Sequence, residues 1–304
     1  MHVLLAIFAS DILPVFLIAG VGFLLARFLG ASVQTLSRIV FYALVPCLVF
    51  NLLVRSHMTL LQFGRTALLA VLVAATMGLV SRLAAAPLRL SRPELSAFLL
   101  VVMFSNSGNY GLPVVLFAFG AEALAHASVF FITGSVMTYT IGVFLAAAGR
   151  RSGRQALAGV VRVPAIYAIV TASLVLVGGI RLPVAAMRPI GMLSDAALPM
   201  MVLVLGMQLE RATIPDRPGV VAAAVGLSLL VAPIVALGLA WLLGVVGPAR
   251  QAGVVLASMP AAVVTTILAL EFEVAPAFVT SVVFATTLLS PFTLTPLIAY
   301  LRFR

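Results

Sequence analysis

Lysine is absent from this chain, cysteine occurs once, and only eight of its 304 residues are acidic. Charged residues make up 9% of the sequence and hydrophobic ones 63%, with a mean hydropathy of +1.26, whereas a soluble domain carries about 25% charged residues. So little charge excludes an ordinary water-facing surface and makes this an integral membrane protein. The lone Cys47 excludes an intrachain disulfide and a Cys-x-x-Cys metal site. All 18 basic residues are arginine; they give a net charge of +10 but are spread between apolar runs, so no basic patch for nucleic acid forms. The stretch Met1 to Ser10 has no Lys or Arg ahead of its apolar residues and reads as the start of a retained first helix, not as a cleaved signal. His-Glu-x-x-His, Gly-x-Ser-x-Gly, aspartate-rich and Cys/His motifs are all missing, so no enzyme, catalytic residue, metal or cofactor is expected.

What is present is a series of long apolar runs. A membrane-spanning helix needs about 20 mostly apolar residues, and ten such runs lie between arginine, proline or acidic residues. They are Ile12 to Leu29, Leu36 to Val54, Thr66 to Ala86, Leu95 to Phe119, Ala123 to Ala148, Pro164 to Gly179, Pro189 to Gln208, Val220 to Leu243, Gln251 to Leu270 and Ala277 to Leu301. The expected fold class is an all-α membrane protein of ten transmembrane helices with short connections, so function has to be built inside the bilayer. Cytoplasmic loops are enriched in positive charge. The odd connections hold eleven arginines and the even side seven, which favours both termini outside and the Arg150 to Arg162 cluster in the cytoplasm.

That cluster divides the chain into residues 1–148, a linker at 149–163, and residues 164–304. Each half holds five spans, an odd number, so similar halves would be inverted relative to each other. Ala43-Leu44-Val45-Pro46 in span two matches Ala196-Ala197-Leu198-Pro199 in span seven, and span four carries Pro113 where span nine carries Pro260. Paired interruptions in corresponding helices of an inverted repeat are the pointer to a transporter's binding site.

The run Phe104-Ser105-Asn106-Ser107-Gly108-Asn109-Tyr110-Gly111-Leu112-Pro113 lies in mid-span. Gly108 and Gly111 relax the backbone, and Pro113 lacks an amide hydrogen and clashes with the carbonyl of Asn109, so a helix break is expected there. Non-helical backbone at membrane depth is tolerated only where protein or a water-filled cavity surrounds it. The substrate-binding candidates are therefore Asn106, Ser107, Gly108, Asn109, Gly111 and Pro113. Their alternative role is hydrogen-bonded glue between helices. In span nine Pro260 should break the helix and free carbonyls near Leu256, with Ser258, Thr265 and Thr266 as lining candidates; hydroxyls bonded back to their own helix are the alternative. Two breaks that cross would each present a half-helix N-terminus, whose unpaired amides favour an anion, so a carboxylate substrate is expected. Asp11, Glu94, Glu122, Glu271 and Glu273 flank spans and read as interfacial anchors, as do His2, His57 and His126. Asp195 lies inside span seven, four residues ahead of Pro199, and is the candidate coupling residue, with a structural ion pair or cap as its alternative.

These residues resemble the auxin efflux carrier family, which includes plant PIN proteins and bacterial malonate or malate carriers. The likeness rests on Tyr42-Ala43-Leu44-Val45-Pro46, on Asn106 to Pro113, on Ala197-Leu198-Pro199 followed by Leu205-Gly206, and on Ser258-Met259-Pro260. It implies ten helices in an inverted five-plus-five repeat. Spans one, two, six and seven would form a scaffold, and the other six a moving transport domain with spans four and nine crossing beside the substrate. The expectation is a secondary carrier or uniporter of a small organic anion in a bacterial inner membrane, with a proton or sodium ion as candidate coupling ion. Its partners would be the substrate and the lipid bilayer, with a homodimer left open. An anion channel, or a sensor or scaffold without transport, are the competing functions.

Overall fold

The computed structural model describes residues 2–56, 58–147, 164–180, 182–210 and 217–303. The linker 149–163 and its arginines, together with His57, lie outside these. Eleven helices are described: α1 (His2–Leu29), α2 (Val33–Arg55), α3 (Leu60–Leu88), α4 (Arg92–Met103), α5 (Ser107–Ala146), α6 (Pro164–Val177), α7 (Val184–Leu209), α8 (Pro218–Leu242), α9 (Gly247–Ala257), α10 (Val264–Glu271) and α11 (Pro276–Phe303). Among the described residues the chain is all-helical, with a single isolated bridge, Ser105 to Ala261, in place of any strand. Seven helices, α1, α2, α3, α5, α7, α8 and α11, are long and apolar enough to cross a membrane. Helix α5 is 40 residues long, about 60 Å at 1.5 Å per residue and twice a bilayer core. Gly120 divides it by leaving helical geometry at φ 80°, ψ −170°, a conformation that disfavours a side chain.

Local chemistry explains the helix starts. Thr59 with Gln62 and Ser91 with Glu94 form reciprocal capping boxes at α3 and α4. Five π-type turns widen the helices, at Phe8–Ile12, Val40–Leu44, Ser107–Gly111, Thr138–Gly142 and Leu227–Val231. Four of them run straight into a segment with proline at its second residue: Pro14, Pro46, Pro113 and Pro233. A proline ring clashes with the carbonyl four residues back and supplies no amide hydrogen, and the extra residue of a π turn relieves both.

Packing follows from small residues. Helix α7 packs along α1, and a Cβ at Gly206 would stand 1.7 Å from the Ala19 carbonyl oxygen while one at Gly22 would stand 2.1 Å from that of Leu203. Backbone thus meets backbone at both points, the close approach that glycine permits between membrane helices. Helix α6 lies on α2, α9 on α5, and α3 on α4 and α5. The periphery is apolar, with Phe28, Leu60, Val177, Trp241 and Phe292 all more than three-quarters exposed. In a membrane protein this is the surface that meets lipid.

The break in the fourth apolar run sits earlier than its glycines and proline suggest. Helix α4 ends at Met103, Phe104 is extended at φ −112°, ψ 107°, and the chain is helical again from Ser107. Pro113 is therefore the second residue of a regular helical stretch, where a missing amide hydrogen costs little, and it shapes the wide turn ahead of it. In the ninth run α9 ends at Ala257 and α10 begins at Val264, with Pro260 inside the gap as expected.

Candidate functional site

The two gaps meet. The Asn106 amide donates to the Pro260 carbonyl at 2.6 Å, and the Ala262 amide donates to the Phe104 carbonyl at 2.8 Å. This one-rung antiparallel pairing answers the problem that a broken helix creates in lipid, since the freed groups of each run find partners on the other. Leu256, whose carbonyl loses its helical donor at Pro260, accepts from Ser105 Oγ at 2.7 Å. The Ala261 amide donates to Thr286 Oγ1 of α11 at 3.1 Å. Tyr110 is fully buried next to the crossing; its hydroxyl accepts from Ser290 Oγ at 3.1 Å and its ring stands edge-on to Phe16 of α1.

Beside the crossing lies a cavity of about 200 Å³. Its wall includes Ser107, Gly108 and Asn109 from the first turn of α5, and Ala262 and Val263 leading into α10 with Val264 at its start. Both half-helices turn the positive end of their dipoles toward this space, although the Ser107, Thr265 and Thr266 amides already donate to the carbonyls of Ser105, Ala262 and Val263. Phe41, Met77, Phe131, Met201 and Val204 form apolar walls. Among the described residues no Arg, Asp, Glu or His lines the cavity; its polar groups are all uncharged.

Three of those groups are buried and unpartnered: Asn106 Nδ2, Ser37 Oγ and Gln208 Oε1. An unpaired buried amide or hydroxyl costs about 1–3 kcal/mol, so three of them on residues of one cavity wall make this the candidate site for a polar ligand. Four of the five π turns contribute wall residues: Val40 and Phe41, Ser107 to Asn109, Thr138 and Tyr139, and Ser228. Wide turns re-aim side chains and free carbonyls, and they recur at functional sites.

Of the residues singled out in the sequence, Asn106, Ser107, Gly108 and Asn109 line the cavity. Gly111, Pro113, Ser258, Pro260 and Thr265 do not; they are buried behind its wall. Ser258 Oγ bonds back to the Val254 carbonyl at 2.7 Å and Thr265 Oγ1 to that of Ala262 at 2.6 Å, which is the self-bonded alternative for these hydroxyls. Gly111 allows close packing, since a Cβ there would stand 2.4 Å from Leu256 Cδ2. Asp195 is exposed on the outside of α7 and is not brought to the cavity. Asp11 is not an interfacial anchor but a buried residue paired with Arg302 at 2.7 Å. His126 is likewise buried, with Nδ1 3.2 Å from Thr66 Oγ1. Sequence reasoning missed Ser37, Ser135, Thr138, Tyr139, Gln208 and Ser228; their signal was only that of single polar residues inside apolar runs.

A family model described as membrane transport protein matches residues 7–157 and again residues 148–298. The chain belongs to this family. It is the family of the auxin efflux carriers. Membership makes the protein a multi-pass membrane transporter and not an enzyme. An uncharacterized transporter of Methanothermobacter thermautotrophicus is 26% identical over 287 residues, covering 92% of this chain and 94% of its own. A second uncharacterized transporter, from Methanocaldococcus jannaschii, is 25% identical over 266 residues, covering 84% of this chain and 86% of its own.

Proposed function

We propose that this transporter is a secondary carrier or uniporter of a small organic anion, a carboxylate, taken up in the cavity beside the crossing. One observation carries the reading: the first turns of two half-helices and Asn106, whose side-chain Nδ2 has no partner, line one cavity that holds no fixed negative charge. Backbone donors that share an anion among them need no arginine, and without a countercharge the anion is not trapped there.

The cycle is an elevator. Helices α1, α2, α6 and α7, locked by the Gly22 and Gly206 contacts, act as the frame, and the remaining helices shift the site past it. Ten spans in an inverted five-plus-five repeat follow if α4 with the first part of α5 counts as one span and α9 with α10 as another. The chain sits in a bacterial inner membrane with both termini outside and takes a proton or a sodium ion as the coupling ion, if any. A cysteine at position 152 that labels from outside would reverse the orientation.

The test is purified protein in liposomes, offered labelled dicarboxylates and indole acids under imposed pH, sodium and voltage gradients. Saturable uptake with counterflow is expected. Flux that rises linearly with concentration and shows no counterflow would mean a channel, and no flux of any acid would mean a sensor or scaffold.

A further inference from the structure

The half-helix 107–119 that carries Asn109 and the first-turn amides is gripped at both ends by the same two helices. At its inner end Tyr110 meets Phe16 of α1, ring centroids 5.9 Å apart, and Ser290 of α11. At its outer end Gly120 breaks the helix, so the last carbonyls lose their donors. Arg302 of α11 supplies one: its Nη2 donates to the Ala118 carbonyl at 2.8 Å. The same nitrogen donates to Asp11 Oδ2 of α1 at 2.7 Å, and the guanidinium stands 6.0 Å from the Phe119 ring centroid. Asp11 has a side chain 3% exposed, and its other oxygen accepts from Ser10 Oγ at 2.7 Å. It stands in the wide turn Phe8–Ile12 that precedes Pro14, the one π turn that does not reach the cavity.

We propose that Arg302 and Asp11 are positioning residues for the cavity: in this state of the cycle the pair, which parts when α5 and α11 shift past α1, fixes the outer end of the half-helix and thereby the place of its inner end, where Ser107 to Asn109 face the substrate. A helix is stiff over three turns, so holding Ala118 against α1 and α11 sets the tilt of the Ser107 end about 17 Å away. A cation at a helix C-terminus also satisfies the negative end of its dipole. Buried charge of this kind is costly unless paired, which is why neither partner stands alone.

This inference rests on reading the cavity as the binding site, but its test does not require transport. In a Cys47→Ala background, Ser107→Cys reports the half-helix end and Ser135→Cys a wall position beyond Gly120. Each is labelled with an anionic methanethiosulfonate and with a neutral one of similar size. In Arg302→Gln the anionic-to-neutral rate ratio at position 107 should fall by about tenfold, the worth of one charge-assisted bond, and the ratio at position 135 should stay at the parental value. Arg302→Lys should keep the parental ratio, because a single nitrogen makes both bonds. Unchanged ratios at position 107 would overturn the proposal, and so would equal changes at 107 and 135, which would mean that the pair only holds the fold. Should Arg302→Gln fail to purify as a monodisperse protein, Asp11→Asn and Arg302→Lys decide by the same ratio, lowered in the first and parental in the second. Parental labelling in every variant alongside normal carrier activity would sink this inference alone. Absence of transport with the expected labelling would sink only the carrier reading.

Discussion

The two helix breaks meet on one rung of backbone bonding yet offer the cavity different things. The break at Phe104 to Asn106 brings side chains: Asn106 Nδ2 has no partner, and Ser107 and Asn109 stand in the wall. The break at Ser258 to Val263 brings apolar side chains and backbone but no free hydroxyl, because Ser258 and Thr265 spend theirs on their own helices. Its carbonyl at Leu256 is looked after by Ser105 from the other run. In the proposed carrier one half of the crossing would read the ligand and the other half would complete the electrostatics. A polar residue at a helix break is thus informative about function only when something else already satisfies the backbone around it.

The sharpest way to break that comparison is Asn106→Ala set against Ser258→Ala. Losing a hydrogen bond to a charged ligand costs about 1.5–3 kcal/mol, so Asn106→Ala should cut uptake in liposomes by about ten- to a hundredfold. Its melting temperature in detergent should not fall, since the amide has no protein partner to lose. Ser258→Ala should transport at near the parental rate. Parental uptake by Asn106→Ala, or equal losses in both, would place the substrate elsewhere.

Next in size is Ser105→Ala, which leaves the buried Leu256 carbonyl only the long 3.4 Å bond from the Met259 amide and should lower stability by about 1–3 kcal/mol. Thr265→Ala should lower it by no more than about 1 kcal/mol, because its hydroxyl bond is local and the Ala262 carbonyl already accepts from the Thr265 amide. Chemical denaturation of the two variants beside the parent separates them, and equal losses would remove the distinction between crossing and self-bonded hydroxyls.

The prolines should also differ. Pro113→Ala lets the turn Ser107–Gly111 relax toward regular helix, which moves Ser107 to Asn109 and should lower uptake several-fold. Pro260→Ala leaves its break in place, because Leu256, Pro260 and Ala262 are already bonded across the crossing, and should keep most of the activity. A double-mutant cycle on uptake would show the Pro113 effect dominating; equal single losses would mean that both prolines act on the site alike.

The smallest effect belongs to the arm that leads into the polar break. At the head of α4, outside the apolar run that begins at Leu95, the Ser91 amide and the Arg217 guanidinium hold the Glu94 carboxyl below the usual range. A carboxylate with a lowered pKa contributes stability above its ordinary value of about 4.3 and loses it as pH falls through the lowered one. The pair is partly exposed, so Glu94→Gln should cost under about 1 kcal/mol at pH 7, and less as the pH falls through the lowered value. A pH series of melting temperatures checks this.

Much of this was legible from residue order. The apolar runs, the mid-span polar motif and Pro260 in its gap follow from the bilayer's demand that every backbone group be satisfied, which leaves deviations visible as glycine, proline and asparagine inside hydrophobic stretches. Less legible was where the fourth run breaks, because Pro113 acts through a wide turn and leaves the extended step to Phe104 and Ser105. Asp11 looked like an anchor because its partner Arg302 lies 291 positions away, a distance that no local pattern spans.

By itself, the sequence determined that the chain lives in a membrane, that its backbone is helical, and that two helices break near their middles. Composition and periodicity act locally, and lipid leaves no other choice. The tertiary structure alone decided which freed carbonyl meets which hydroxyl, which polar side chains are left without a partner, and that Ser37 and Gln208 share a cavity with Asn106. Those outcomes depend on contacts between residues about 70 to 170 positions apart, chosen by packing and by the cost of an unpaired polar group in a dry interior.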